Sequence, residues 1–193
     1  MTRIKVSGKE IICCFVLSIL YVFGILLSTG TLFSGYHLLD DHEIITYNFW
    51  NKSECHSVFA LLTGGFVWKK ERFRPLYEII RRIRCVMFGD NMILWSIIVA
   101  IEIVLIIVFS YFFARLWGTN RVISALFSLF VVTGEQSAVW WRLGPQEATG
   151  TLLLMLALLF FQIYVVSGKR RWAVCGIISA LLCSMTKESF TIM

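Results

Sequence analysis

The chain has 193 residues, of which 58% are hydrophobic and only 16% charged, and its mean hydropathy is +0.78. Soluble domains contain roughly 45–50% apolar and about 25% charged residues, so this composition excludes a free-standing soluble enzyme, a disordered tail and a nucleic-acid-binding domain. The net charge of +6 then indicates membrane topology and contact with lipid headgroups. We therefore expect a multi-pass membrane protein that has the bilayer as a partner and binds no nucleic acid.

Five apolar segments predict five transmembrane helices, since each is close to the ~20 residues that cross a bilayer. The first, 11–33, follows a basic head (1–10) and is longer than the ~7–15 apolar residues of a cleaved signal. A long polar segment, 34–91, follows as the outer loop. The other crossings are predicted at 92–113, 122–141, 148–166 and 172–193. The predicted fold class is all-α, a polytopic transmembrane helix bundle.

Within the polar segment, residues 74–87 have the pattern of an amphipathic helix. Apolar residues recur there at spacings of three and four, Arg and Glu fill most other positions, and Pro75 suits the first turn. A helix with one apolar and one basic face normally lies in the membrane interface. The alternative is a soluble amphipathic helix packed on the rest of the loop.

Basic residues predict the side of the membrane on which each connector lies. Three clusters share one side by parity, and the positive-inside rule places that side in the cytoplasm. We therefore expect a cytoplasmic N-terminus and, in a bacterial source, the plasma (inner) membrane. The long loop, the connector 142–147 and Lys187 then face the outer side. The three clusters are Arg3, Lys5 and Lys9; Arg115 and Arg121; and Lys169, Arg170 and Arg171.

An acidic cluster follows the first crossing directly, with Asp40, Asp41, His42 and Glu43 in succession. Adjacent carboxylates at a membrane surface repel each other, so they require a cation, a role in proton transfer or water. One interpretation is a general base with positioning groups, or a divalent metal site for which Asp41 and His42 are candidates. The structural alternative is that an aspartate caps a helix whose first turn contains Glu43.

A basic and aromatic stretch, 68–77, lies later in the same loop and contains Arg72 and Arg74. Arginine binds phosphate through paired hydrogen bonds, while Trp and Tyr anchor at the level of lipid headgroups. The stretch therefore fits either a lipid-phosphate ligand or simple interfacial anchoring. Lys187 in the last crossing fits the same ligand, or an ion pair with Glu188.

Two glutamates fall within predicted crossings, Glu102 in the middle of the second and Glu135 in the outer third of the third. Ionisable residues at membrane depth face the bundle interior or a cavity. We expect Glu135 to line an outer cavity and Glu102 to be protonated or paired. A transporter or channel fragment with both glutamates on an ion path is the main rival interpretation, and a non-catalytic membrane subunit is the second.

The cysteine positions leave open whether one disulfide forms. Four of the six lie in apolar runs, where a thiol behaves as a small hydrophobic group. Cys55 and Cys85 lie outside these runs on the same predicted side, so they are the pair that a disulfide would join.

Together these features resemble the GT-C superfamily of membrane glycosyltransferases, which includes the protein O-mannosyltransferases and aminoarabinose transferases. Four motifs carry the resemblance: 39–43 after the first helix, 72–76 in the loop, 144–147 before the fourth crossing and 187–189 in the fifth. Family members are typically much longer, so the resemblance implies that this chain corresponds to their N-terminal portion. The acidic pair here is Asp-Asp, where the mannosyltransferases have Asp-Glu.

The resemblance implies that a sugar moves from a polyprenyl or dolichyl phosphate donor to an acceptor at the outer face, with inversion. A lipid phosphate leaves readily with cationic support, whereas the acceptor hydroxyl needs a base. Asp40 would be that base, and Asp41 would orient the acceptor or hold a divalent metal ion, the one cofactor under consideration. The remaining expected roles are donor phosphate binding for Arg72, Arg74 and Lys187, and sugar or supporting contacts for His42, Glu43 and Glu147.

Overall fold

The computed structural model describes residues 7–35, 44–46, 48–49, 74–133 and 145–191, and within these ranges the chain is all-helical, without strands. The all-α fold class is thereby confirmed. Residues 44–46 and 48–49 are short helical stretches. The longer helices are α1 (Gly8–Ser28), α2 (Pro75–Phe88), α3 (Met92–Trp117), α4 (Arg121–Val132), α5 (Gln146–Ser167) and α6 (Arg170–Ser184), followed by a 3-10 helix at Glu188–Thr191.

Among the described residues, the helices α1, α3 and α5 are long and apolar enough to cross a membrane, with 21, 26 and 22 residues. At ~1.5 Å per residue, each covers the ~30 Å hydrocarbon core of a bilayer. Helices α4 and α6 have 12 and 15 residues and are too short to do so alone. The structure therefore supports a multi-pass membrane protein with three candidate crossings, and the count of about five stays a prediction. The predicted third crossing, 122–141, extends into residues 134–144, which lie outside the described ranges.

Contacts between helix ends give the direction of each helix in the bundle. Glu10, at the start of α1, contacts Arg115 near the end of α3, and we call this the head end. At the opposite end, Glu147 in the first turn of α5 contacts Lys187, which follows α6, and we call this the cap end. Helices α1, α4 and α6 therefore run from head to cap, while α3 and α5 run from cap to head.

Local signals in the sequence place several helix boundaries. The side chain of Asn91 accepts a hydrogen bond from the amide of Leu94 at the start of α3, and Asn120 accepts one from Ile123 at the start of α4. Such caps satisfy amides that have no partner within the helix. Helix α3 ends at Gly118, whose φ of 106° is a left-handed conformation that glycine adopts readily. The turn between α3 and α4 is therefore determined by residues 118–120.

Helix α3 forms the centre of the bundle. Its buried side chains pack against α1, α4 and α5, while large apolar side chains on α1 and α4 remain exposed on the outside, as expected for lipid-facing surfaces. Buried serines lie along the helices, whereas the charged side chains of the described residues lie mainly toward the two ends. The core residues of α3 include Val99, Ile103, Val104, Ile106 and Ile107, and their buried neighbours include Val22, Leu26, Val132 and Met155.

Candidate functional site

The amphipathic helix α2 has its basic face against the bundle and its apolar face outward. Val86 and Met87 are 62% and 67% exposed, whereas Arg81 is only 4% exposed. Arg84, three residues from Arg81, lies on the same side of the helix. An interfacial helix presents its apolar side chains to lipid in this way. The arginines are thus held near the polar ends of the neighbouring helices.

A nearly buried ion pair joins α2 to α3, one of the candidate crossings. The Arg84 guanidinium donates to Oε1 of Glu102 in α3. The hydroxyl of Thr149 in α5 donates to the same oxygen at 2.8 Å. Because Thr149 is the fourth residue of α5, Glu102 lies level with the start of α5 rather than in the middle of the bundle. Of the two states expected for Glu102, the structure has the paired one.

A second group of polar side chains, more accessible than this pair, lies at the cap end. Lys187 Nζ is 2.7 Å from Glu147 Oε1, and the two side chains are 29% and 27% exposed. Next to them, Arg74 Nη1 donates to Oε1 of Gln146 at 2.6 Å. We call Arg74, Gln146, Glu147 and Lys187 the cap cluster. It brings together the start of α2, the start of α5 and the residue that precedes the 3-10 helix.

Close packing of α5 against the residues that follow α6 positions Lys187. Gly150 has no side chain, and a Cβ atom built there would lie 2.2 Å from Cε2 of Phe190 and 2.7 Å from Oγ1 of Thr186. Only glycine therefore permits this approach. Because Thr186 and Phe190 flank Lys187, the same packing places the ammonium group beside Glu147.

Two further hydrogen bonds hold the elements of the cap cluster together. The amide of Leu76 in the first turn of α2 donates to the carbonyl of Met185 at 3.1 Å. The thiol of Cys183 donates to the carbonyl of Gly150 at 3.1 Å. The first bond joins α2 to the end of α6, and the second joins α6 to α5. The position of Arg74 relative to Lys187 thus follows from the backbone contacts of their helices.

The charges at the cap end favour binding of an anion. Helix α5 begins here, its N-cap residue is Pro145, and no side chain caps its first amides. The unsatisfied N–H groups of a helix start carry partial positive charge and attract anions. Cations also outnumber carboxylates on the contributing elements. On α2 with its N-cap, the contacting residues of α3 and α5, and residues 187–188, the cations are Arg74, Arg81, Arg82, Arg84 and Lys187, and the carboxylates are Glu78, Glu102, Glu147 and Glu188.

Three of the predicted site residues meet in the cap cluster, namely Arg74, Glu147 and Lys187. Lys187 pairs with Glu147 there, forty residues away in sequence. The remaining predicted site residues lie outside the described residues; they are Asp40, Asp41, His42, Glu43 and Arg72, together with Glu135. The metal candidates Asp41 and His42 are in that set, and within the described ranges no three His, Cys, Asp or Glu residues converge.

The structure adds polar residues that the sequence interpretation did not select. Gln146 lies within the motif 144–147, of which only Glu147 is expected to contact the sugar or support the site. Arg84 belongs to the amphipathic pattern but has no distinguishing neighbour in sequence, and Thr149 lies in an apolar context. The motif 144–147 was thus the one signal that pointed to a missed residue.

Cys85, on the inward face of α2, has a free and buried thiol. Burial, opposed in part by Arg81 and Arg82, raises the pKa of Cys85 to about 11. The thiolate is the reactive form, so this side chain is nearly inert at neutral pH. Its possible disulfide partner, Cys55, lies outside the described residues. Cys85 therefore contributes packing beside Ile44 and Trp95.

No protein-family model, curated protein or solved structure matches the chain.

Proposed function

We propose that the protein is a membrane glycosyltransferase that uses a sugar linked to polyprenyl or dolichyl phosphate and transfers it, with inversion, at the outer face. The observation that supports this most is the meeting of Arg74, Glu147 and Lys187 at the cap end. The family resemblance implies donor phosphate or sugar contacts for these three residues, which are widely separated along the chain.

The chemistry divides between a base and a set of cations. The acceptor hydroxyl attacks the anomeric carbon, its proton passes to Asp40, and the bond from that carbon to the phosphate oxygen breaks. The lipid phosphate leaves with the bonding electrons and gains negative charge, which cations stabilise. Inversion requires attack from the face opposite the leaving phosphate, so the base and the cations lie on opposite faces of the sugar.

Lys187 and Arg74 are suited to the leaving phosphate. The ammonium group of Lys187 has three N–H donors, of which one is engaged by Glu147 Oε1. Its side chain is 29% exposed, so the other donors remain accessible to a ligand. Glu147 then fixes the position of the ammonium group and offers its second oxygen to a sugar hydroxyl. The start of α5 adds partial positive charge in the same region.

The contacts of Glu102 give less support to the alternative function, a transporter or channel with Glu102 on an ion path. Its Oε1 accepts hydrogen bonds from Arg84 and Thr149, and its side chain is 8% exposed. A carboxylate neutralised by a buried arginine is poorly placed to bind a passing ion. Glu102 instead has a structural role, since it anchors α2 to α3 and α5.

Exchanging the charges of Lys187 and Glu147 tests the proposal in the full chain. Each single variant, Lys187→Glu or Glu147→Lys, places like charges together, so we expect both stability and transfer to fall. The double variant restores an ion pair but puts a carboxylate where the donor phosphate is expected. We therefore expect thermal stability to recover while sugar transfer stays lost.

Transfer is measured as loss of label from radiolabelled polyprenyl-phosphate mannose and polyprenyl-phosphate aminoarabinose, in membranes of cells that express each variant. The matched control is Lys169→Met, which removes an exposed cation at the head end. Full transfer by the charge-exchanged variant would show that the pair is only structural and would overturn the proposal.

A further inference from the structure

A cavity lies at the head end, between α1, α3 and α4, far from the cap cluster. Its volume is about 770 Å³, within the roughly 300–1,000 Å³ of small-molecule sites. We call it the head groove. Apolar and small side chains form most of its walls, among them Leu17, Tyr21, Ile107, Ala125 and Leu129.

The mouth of the head groove contains a network of charged side chains around Glu10. Oε1 of Glu10 accepts hydrogen bonds from Tyr111 Oη at 2.8 Å and from Arg115 Nε at 2.7 Å. Oε2 accepts a longer one, 3.3 Å, from Arg121 Nε. The carboxylate is therefore fully engaged by groups on α3 and α4. The network therefore joins the start of α1 to α3 and α4 at the mouth of the groove.

The mouth carries an excess of positive charge that points outward. Lys9, Arg115 and Arg121 are cations and Glu10 is the one carboxylate among these four, so their net charge is +2. Arg115 is buried with Glu10, whereas the side chain of Arg121 is 71% exposed. Lys9 is exposed as well. Two cations at the mouth are thus available to an anionic group.

The length of the head groove matches one leaflet of a bilayer. Lys9, at the mouth, and Tyr21, deep in the groove, are twelve residues apart on α1, which is about 18 Å at ~1.5 Å per residue. Half of the hydrocarbon core is ~15 Å thick. An apolar groove of this length with cations at its mouth is complementary in shape and charge to a lipid with an anionic headgroup.

We propose that the head groove binds one acyl chain of an anionic phospholipid, with the headgroup phosphate on Arg121 and Lys9. Arginine forms strong charge-assisted hydrogen bonds with phosphate. The positive-inside rule places this end in the cytoplasmic leaflet, where anionic lipids are concentrated. The bound lipid covers the apolar walls between α1 and α4 and stabilises their packing. This site is independent of the proposed transferase site, since it lies at the other end of the bundle.

Native mass spectrometry of the full chain tests this site. The protein is taken from nanodiscs that contain equal amounts of phosphatidylglycerol and phosphatidylcholine with identical acyl chains. We expect one retained phosphatidylglycerol, with at least a tenfold preference over phosphatidylcholine. Arg121→Gln should reduce the preference to less than threefold. Arg170→Gln, which removes an exposed head-end cation outside the groove, should leave it unchanged.

A second variant, Ala125→Trp, fills the groove while leaving its cations in place, and we expect it to lose the retained lipid. Equal retention of the two lipids, or the same loss in Arg121→Gln and Arg170→Gln, would overturn the proposal, because either result indicates general attraction to the protein surface. Detection of a dimer of the chain without bound lipid would also overturn the proposal.

Discussion

Adding a single methyl group at Gly150 should destabilise the packing that positions Lys187. The new Cβ would lie 2.2 Å from the Phe190 ring and 2.7 Å from the Thr186 hydroxyl, so the segment after α6 must move away from α5. Overpacking of this kind costs about 1–3 kcal/mol. Alanine also favours the helix over glycine by about 1 kcal/mol, which offsets part of that cost.

The matched control is Gly24→Ala in α1, where no atom lies within 4 Å of the added Cβ. Both variants gain helix propensity, so the difference between them isolates the clash, and we expect about 1–3 kcal/mol. At ~2–4 °C per kcal/mol for a chain of this size, Gly150→Ala should have a Tm several degrees below that of Gly24→Ala. The Tm is measured on the detergent-solubilised full chain, by size-exclusion chromatography after heating. Equal Tm values would refute the close packing of α5 on Phe190.

Two further predictions concern α2. Removing the carboxylate with Glu102→Leu leaves Arg84 as an uncompensated, nearly buried charge. We therefore expect the free energy of unfolding to fall by about 3–5 kcal/mol. Adding Arg84→Met should recover most of this loss, and a double variant with a Tm as low as that of the single variant would contradict the ion pair. Because the pKa of Cys85 is raised to about 11, its alkylation by iodoacetamide should be very slow at pH 7.5 and rise about tenfold per pH unit up to pH 10. Mass spectrometry of the alkylated peptide measures this rate, and rapid labelling at pH 7.5 would show that Cys85 is accessible and ionised.

The sequence predicted those features that depend on local pattern. Long apolar runs indicate candidate crossings because a membrane helix must be apolar over about 20 residues. The spacing of apolar residues indicated the helix that occupies Pro75–Phe88 in the structure. Arg74, Glu147 and Lys187 are expected site residues because of the family resemblance, and Arg74 also because of the basic stretch 68–77; in the structure all three belong to the cap cluster.

Features that depend on pairing between distant residues were not predictable. The spacing of apolar residues showed that α2 has an apolar and a basic face. The basic face packs against the bundle because Arg84 contacts Glu102 in α3 and Thr149 in α5. Lys187 contacts Glu147, which lies forty residues away along the chain. The Gly150 contact likewise depends on how α5 and α6 pack. No local signal encodes such contacts, because each needs the arrangement of at least two helices.

We propose that the cap cluster binds the phosphate of a lipid-linked donor. The most direct test of this proposal compares binding of polyprenyl phosphate and polyprenol by native mass spectrometry, in an Arg121→Gln chain so that the head groove does not contribute. We predict at least a tenfold preference for the phosphate, lost on adding Lys187→Met and kept on adding Lys169→Met. Equal binding of phosphate and alcohol, or an unchanged preference without Lys187, would contradict the claim.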